Sequence, residues 1–224
     1  MTNKKNKKLA IIHTTPLTIA PLKELAMELL PGCEVINLMD DSILPQLAAT
    51  GGDLSSVEAR MLSYASIAES LGADCVLSAC SSVGELVAAM ETIVTVPIVR
   101  IDEAMAELAV AKGSRIGVAA TLNTTMRPTL ALLEKKASEA GKLVQFVSVL
   151  AEGAYRKLLA GDNKGHDEEL YYALKELVEQ TDIVVLAQAS MARIARQLPE
   201  ELQGRCLTSP RLGMERAIGR MNRL

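Results

Sequence analysis

Ala73-Asp74-Cys75-Val76-Leu77-Ser78-Ala79-Cys80-Ser81-Ser82 and Thr181-Asp182-Ile183-Val184-Val185-Leu186-Ala187-Gln188-Ala189-Ser190 are two versions of one pattern. Each is a short apolar run that ends in small polar residues. That is the form of a strand buried in a parallel sheet, with a site at its carboxyl end. Asp74 and Asp182 are 108 positions apart, as are Tyr64 and Tyr172, while Leu9–Ile12 and Ile116–Ala119 are offset by 107. A near-constant offset over several elements indicates an internal duplication, and its period is too long for a solenoid. The expected fold is α/β. Two pseudo-symmetric lobes are each a small parallel sheet flanked by helices, with the active-site cleft between them. Such sheets bind ligands at the carboxyl ends of their strands. With a one-residue gap, Cys80 aligns with Ala189, a thiol against a methyl group.

Strands and helices alternate outward from this pair. Strands are predicted at 8–12, 34–39, 75–79, 94–99, 115–120, 144–150, 183–187 and 206–208. Helical spacing or helix punctuation marks 19–30, 55–71, 83–91, 102–112, 128–140, 167–180, 191–197 and 212–221. The first lobe is expected at 1–112, the second at 113–204, and a segment 205–224 returning to the first. Residues 1–8 carry Lys4-Lys5-Asn6-Lys7-Lys8 and read as a flexible basic tail.

Bulk composition narrows the chemistry. The chain has 224 residues, 49% of them hydrophobic and 23% charged, which suits a globular protein with a proper core. A net charge of −3 and 2% aromatics provide neither the electrostatic footprint nor the stacking platform of a nucleic-acid binder. No run reaches the length of a membrane span, since Pro97 and Arg100 interrupt the closest one, Ile93–Ile101. Cys33, Cys75, Cys80 and Cys206 form no CxxC pair and there are only two histidines, so structural zinc is not expected. Four free thiols in a reducing cytoplasm are expected, with no cofactor. No dinucleotide fingerprint, P-loop, zinc-protease or nucleophile-elbow motif is present.

The loops at strand ends are rich in hydroxyls and amides: Thr14 and Thr15, Ser81 and Ser82, Thr121 to Thr125 with Asn123 and Thr124 inside, and Gln188 and Ser190. Taken singly, each is a turn or a helix cap. Together they suit a small carboxylate, held by hydroxyls and by backbone N–H groups. Cys80 lies between a strand and a helix, where the helix N-terminus is expected to favour thiolate. Cys33, Cys75 and Cys206 read as small buried hydrophobes. His13 adjoins an inferred site loop and is either an acid/base or a strand cap. Glu152 is a weaker candidate for the same work, and His166 reads as exposed loop.

The duplicated lobes, the Ala79-Cys80-Ser81-Ser82 turn, the Thr121–Thr125 loop and the late Thr208-Ser209-Pro210-Arg211-Leu212 segment resemble the aspartate/glutamate/hydantoin racemase superfamily. That family includes racemases, maleate isomerases and arylmalonate decarboxylases. The resemblance implies cofactor-free carbon-acid chemistry with two cysteines at pseudo-symmetric strand ends, and with hydroxyls and N–H groups stabilising an enediolate. It makes Cys80 the first cysteine, Ser81 and Ser82 the carboxylate turn, and the Thr121 loop its counterpart. It also makes Ala189 the departure, because no acid or base stands there. The leading expectation is a single-cysteine isomerase on a small carboxylate or amino-acid-like ligand, in a homo-oligomer that binds neither nucleic acid nor membrane. The alternatives are a decarboxylase or lyase of the same fold, a Cys80 hydrolase with His13 as base, and a non-catalytic carboxylate-binding protein.

Overall fold

The computed structural model describes residues 7–223, except for the side chain of Ser190. Most of the expected basic tail, residues 1–6, lies outside the described residues. Lys8 already belongs to the first strand. Lys7 is tied down as well, its ammonium donating to the Met221 carbonyl at 2.7 Å and to Asn222 Oδ1 at 2.8 Å.

The chain forms two compact units. The first runs to Ile101 and takes in the C-terminal stretch from Pro210. It contains β1 (Lys8–His13), α1 (Ile19–Leu29), β2 (Glu34–Met39), α2 (Ile43–Ala49), α3 (Ser55–Ser70), β3 (Cys75–Ser78), α4 (Val87–Met90) and β4 (Ile98–Arg100). All strand pairings are parallel, in the order β2-β1-β3-β4. β3 is buried throughout and β1 nearly so, whereas the edge strand β2 is partly exposed. Ala10, Ile12 and Val76 pack with Ile43, Met61 and Met90 from the flanking helices.

The second unit, Asp102–Ser209, repeats the plan. Its elements are α5 (Glu103–Lys112), β5 (Arg115–Ala120), α6 (Asn123–Glu139), β6 (Gln145–Leu150), α7 (Glu152–Leu159), α8 (Asn163–Gln180), β7 (Ile183–Leu186), α9 (Ala192–Ala195), α10 (Glu200–Gln203) and β8 (Cys206–Thr208). Its strand order is β6-β5-β7-β8, again all parallel. The edge strands β2 and β6 even share one sequence of exposed and half-buried positions. Helix α11 (Ser209–Met221) then carries the chain back to the first unit. Gly213 lets α11 pass close to the backbone there, since a Cβ at this position would stand 2.5 Å from the Ile101 carbonyl oxygen.

The repeated aspartates have a local cause. Asp74 Oδ2 accepts the Lys8 N–H at 2.7 Å, and Asp182 Oδ2 accepts the Arg115 N–H at 2.8 Å and the Ser114 N–H at 2.9 Å. Each carboxylate, placed just before the third strand of its sheet, pins the start of the central strand. The backbone N–H bonds of Arg115 and Ser114 hold the Asp182 carboxyl below its usual value.

Several boundaries depart from the sequence expectation. The unit boundary falls after Ile101, so α5 belongs to the second unit rather than the first. Lys136 of α6 explains this by binding Glu103 at 2.8 Å and Glu107 at 3.0 Å on α5. The strand expected at 94–99 runs instead over Ile98–Arg100. Helix α6 starts five residues before its expected Pro128 start and carries that proline inside. Helix α8 starts at Asn163 because the Asp162 carboxylate accepts the Gly165 N–H at 2.8 Å and caps it. Helices α2 and α7 were not expected, Pro45 and Gly153 having masked their short patterns.

Candidate active site

In the first unit, β1 and β3 are hydrogen-bonded neighbours that end together, Ile12 opposite Ser78. The Ala79 N–H extends the ladder by donating to the Ile12 carbonyl at 2.9 Å. Cys80 follows in extended backbone, and a 3-10 turn, Ser81–Leu86, begins at once. The thiol therefore sits at the carboxyl end of the sheet beside Thr14, the residue after β1.

Burial pushes the Cys80 thiol above the ordinary cysteine value. The Thr14 hydroxyl, the Ser82 hydroxyl and the Ser82 and Val83 N–H groups all face the sulfur and oppose that rise, without reversing it. The expected thiolate is corrected accordingly: the resting group is a thiol. A short 3-10 turn lacks the aligned peptide dipoles that depress a cysteine at a long helix. Ser81 and Ser82 are both buried.

Thr14 is only 2% exposed, yet its hydroxyl makes no hydrogen bond of normal geometry. The buried hydroxyls of Ser78 and Ser209 share that condition. All three lie at carboxyl ends of strands, at β1, β3 and β8. Unsatisfied buried polar groups are rare and costly, so each of these hydroxyls is a position that a further polar partner would stabilise. Sequence reasoning placed Thr14 in a site loop but had no signal for Ser78, which looks like any strand residue.

Arg100 was also missed, having read only as a break in an apolar run. It is buried at the end of β4, and its guanidinium rests on Gly84 in the turn after Cys80, in the space a Cβ would need. Any side chain at position 84 would displace either the arginine or the turn.

His13 is not a free acid or base. Its Nδ1 lies 2.8 Å from Thr18 Oγ1 and its Nε2 lies 2.9 Å from Asn37 Oδ1, with the ring fully buried. Burial lowers its pKa although Asn37 opposes this, so the ring is neutral. A neutral ring donates once, and Asn37 Oδ1 only accepts, so Nε2 donates to Asn37, while Nδ1 and the Thr15 carbonyl, 3.2 Å from Thr18 Oγ1, share the single Thr18 hydroxyl proton. Thr15 caps the following 3-10 turn with its hydroxyl oxygen accepting the Leu17 N–H at 3.4 Å. His13 and Thr15 thus shape the Thr14 loop, and the base that a hydrolytic Cys80 requires is already committed to Thr18 and Asn37.

The second unit carries the matching turn in a different state. Ala187 N–H donates to the Ala119 carbonyl at 2.9 Å, and Gln188 follows in extended backbone before a 3-10 turn, Ala189–Met191. The counterpart of Cys80 is therefore Gln188, with no gap. The expected pairing with Ala189 was a one-residue slip, which would have reversed which face each side chain takes. Thr121, the counterpart of Thr14, donates both its N–H, at 2.6 Å, and its hydroxyl, at 2.8 Å, to Gln188 Oε1. Asn123, Thr124 and Thr125 are not loop but the first turn of α6, exposed, half-buried and buried in that order. The side chain of Ser190 lies outside the described residues. Glu152 opens α7 and is exposed.

His166 is corrected most plainly. It is 2% exposed within α8, with Nδ1 at 2.8 Å from Asp167, whose Oδ1 also accepts from Arg193 Nη2 at 2.8 Å. Burial pushes the Cys75 and Cys206 thiols up to about 12 and about 11, as suits inert packing groups. Among the described residues no cluster of candidate metal ligands occurs, and no helix is long and apolar enough to cross a membrane.

The model of the Asp/Glu/Hydantoin racemase family matches residues 12–217. The chain belongs to that family. Solved structures of similar fold include Picrophilus torridus aspartate racemase, at TM-score 0.75 and 15% identity, covering 97% of this chain and 95% of that one. Allantoin racemase from Klebsiella pneumoniae matches at TM-score 0.66 and 17% identity, covering 96% and 87%. Arylmalonate decarboxylase matches at TM-score 0.58 and 16% identity, covering 96% and 92%. No curated protein matches the chain by sequence. At such identities the solved structures speak for the fold, and the chemistry has to come from the residues of this chain.

Proposed function

We propose that this family member is a cofactor-independent carbon-acid enzyme, of isomerase type, acting on a small carboxylate with Cys80 as its single proton carrier. The observation that carries the reading is the Cys80 thiol beside the buried Thr14 hydroxyl at adjacent strand ends, a hydroxyl that faces the sulfur and has no hydrogen bond of normal geometry. A ligand carboxylate or its enediolate gives Thr14 a stronger acceptor than the sulfur. The Ser82 and Val83 N–H groups that face the sulfur stabilise the thiolate left when Cys80 gives up its proton.

With its pKa raised, Cys80 takes a substrate α-proton through its minor thiolate form, whereas a decarboxylation needs only the thiol proton. That makes a lyase the second reading. A carboxyl group leaves as carbon dioxide, the electron pair of the broken bond forms an enediolate, and the thiol proton quenches its carbon on one face. The thiolate then recovers a proton from water. Gln188, where the repeat would place a second thiol, neither gives nor takes a proton near neutral pH.

The test is proton NMR in D₂O with a panel of dicarboxylates, amino acids, hydantoins and arylmalonates, for wild type beside Cys80→Ala. Cys80-dependent loss of an α-proton signal, or Cys80-dependent decarboxylation, is expected. Chemistry that survives in Cys80→Ala overturns the assignment.

A further inference from the structure

Gly84 is a glycine that its own backbone does not require. It lies inside the 3-10 turn Ser81–Leu86 and is not among the glycines of positive φ. What excludes a side chain there is Arg100. A Cβ on Gly84 would stand 2.9 Å from Arg100 Cδ and closer still to the guanidinium, its three nearest neighbours all being atoms of that side chain. The turn itself is weakly held from within. It runs for 6 residues, whereas 3-10 runs beyond about four are uncommon, and the Val83 N–H reaches the Cys80 carbonyl only at 3.4 Å. Strand register brings the arginine to it. β4 pairs with β3 so that Ile98 lies opposite Val76 and Arg100 opposite Ser78. Side chains alternate along a strand, so Arg100 shares the face of Val76 and Ile98, the core against which Cys80 and Val83 pack.

We propose that Arg100 is a positioning residue for Cys80: its side chain, seated on Gly84, holds the turn whose Ser82 and Val83 N–H groups face the sulfur. The proposal rests on the reading of Cys80 as the proton carrier, and adds what keeps the donors of its thiolate in place. Those donors ease ionisation only while they point at the sulfur, because a hydrogen bond weakens steeply with angle. A buried guanidinium is costly, and a glycine in a helical turn costs stability too. Both costs have one explanation if the arginine and the glycine together fix the turn.

The test follows alkylation of Cys80 by iodoacetamide across about pH 7 to pH 10, where a thiol titrates. Tandem mass spectrometry resolves the labelled cysteines, and no substrate is needed. The groups facing the sulfur do not titrate in this range, His13 beside Thr14 is neutral, and Glu85, the carboxylate of the turn, is exposed. Gly84→Ala keeps the arginine and the thiol, yet is expected to slow Cys80 alkylation at least about threefold near pH 8. That is the loss of a charge-assisted hydrogen bond, partly offset by the greater nucleophilicity of a more basic thiolate. Arg100→Lys keeps the charge without the planar fork, and is expected to slow the reaction as well. Arg100→Ala empties the space that a Cβ needs, so adding Gly84→Ala to it is expected to change the rate no further. An unchanged Cys80 profile in Gly84→Ala, or Arg100→Lys equal to wild type, overturns the proposal. So does an effect of Gly84→Ala that is as large beside Arg100→Ala as in wild type. The buried Cys75 of β3 is the control: a merely structural role would speed the labelling of both Cys75 and Cys80, and that too overturns it. If Gly84→Ala does not fold, Arg100→Lys decides. Failure of the carbon-acid reading looks different, because turnover then survives in Cys80→Ala whatever the alkylation series shows.

Discussion

The turn after β3 and the turn after β7 share one backbone and differ in whether they are closed. Both follow a buried four-residue strand, both add one more ladder hydrogen bond at 2.9 Å, and both pass through an extended residue into a 3-10 turn. In the second unit the extended residue, Gln188, satisfies the neighbouring threonine with its own oxygen. In the first, Cys80 presents a weak acceptor, and Thr14 is left buried without a proper partner. A fold can therefore close one of two equivalent stations with its own side chains and leave the other with a buried hydroxyl short of a strong acceptor.

The comparison breaks most decisively at Cys80. Cys80→Ala is expected to lower turnover by about 10²–10⁴-fold, the usual contribution of a positioned acid/base group, with little change in melting temperature. Alanine at the equivalent station, Gln188→Ala, removes no proton carrier and is expected to leave proton exchange measurable at saturating ligand. If the two substitutions affect kcat equally, the stations do not divide the work as described.

The two threonines sharpen it next, through stability. Thr14→Val removes a buried hydroxyl that has no partner, and is expected to stabilise the protein by about 1 kcal/mol while weakening ligand binding. Thr121→Val removes a satisfied donor and is expected to cost about 1 kcal/mol. For a chain of this size each change corresponds to a shift of about 2–4 °C in melting temperature, in opposite directions. Shifts of the same sign would mean that Thr14 is as well bonded as Thr121.

The sequence made this comparison reachable but misplaced its centre. The offset of 108 between Asp74 and Asp182 was legible because both residues do the same backbone job at the same place. The strand ends were legible because a buried parallel strand is a continuous apolar run flanked by small polar residues. The partner of Cys80 was not, since matching Cys-Ser to Ala-Ser by side-chain type inserted a gap that ladder hydrogen bonding forbids. The roles of His13 and His166 were not legible either. A histidine's availability depends on what bonds its two ring nitrogens, and Thr18, Asn37 and Asp167 reach them only in the fold. The α6 start was hidden by Pro128, which ordinarily marks a first turn and here sits further in.

The smallest expected effect concerns pH, and it too separates the repeats. His13 ends β1 where Ala120 ends β5, so only the first unit buries an imidazole at this station. Desolvation lowers the His13 pKa below the ordinary value of 6.5, and the hydrogen bond with Asn37 offsets part of that. The unfolded chain therefore binds the His13 proton more readily than the native one. It follows that this contribution to stability is complete above about pH 6.5 and is lost as pH falls toward the lowered native value. Protonation would also give Nδ1 a hydrogen, which the Thr18 hydroxyl oxygen accepts while its own proton goes to the Thr15 carbonyl, so the cost is the buried charge rather than a lost bond. Melting temperature measured between pH 7 and pH 5 is expected to fall in wild type and to fall less in His13→Gln, whose side chain does not titrate. If both proteins lose the same amount over that window, the acid sensitivity belongs elsewhere, and the His13, Thr18 and Asn37 cluster is not what holds the Thr14 loop in place.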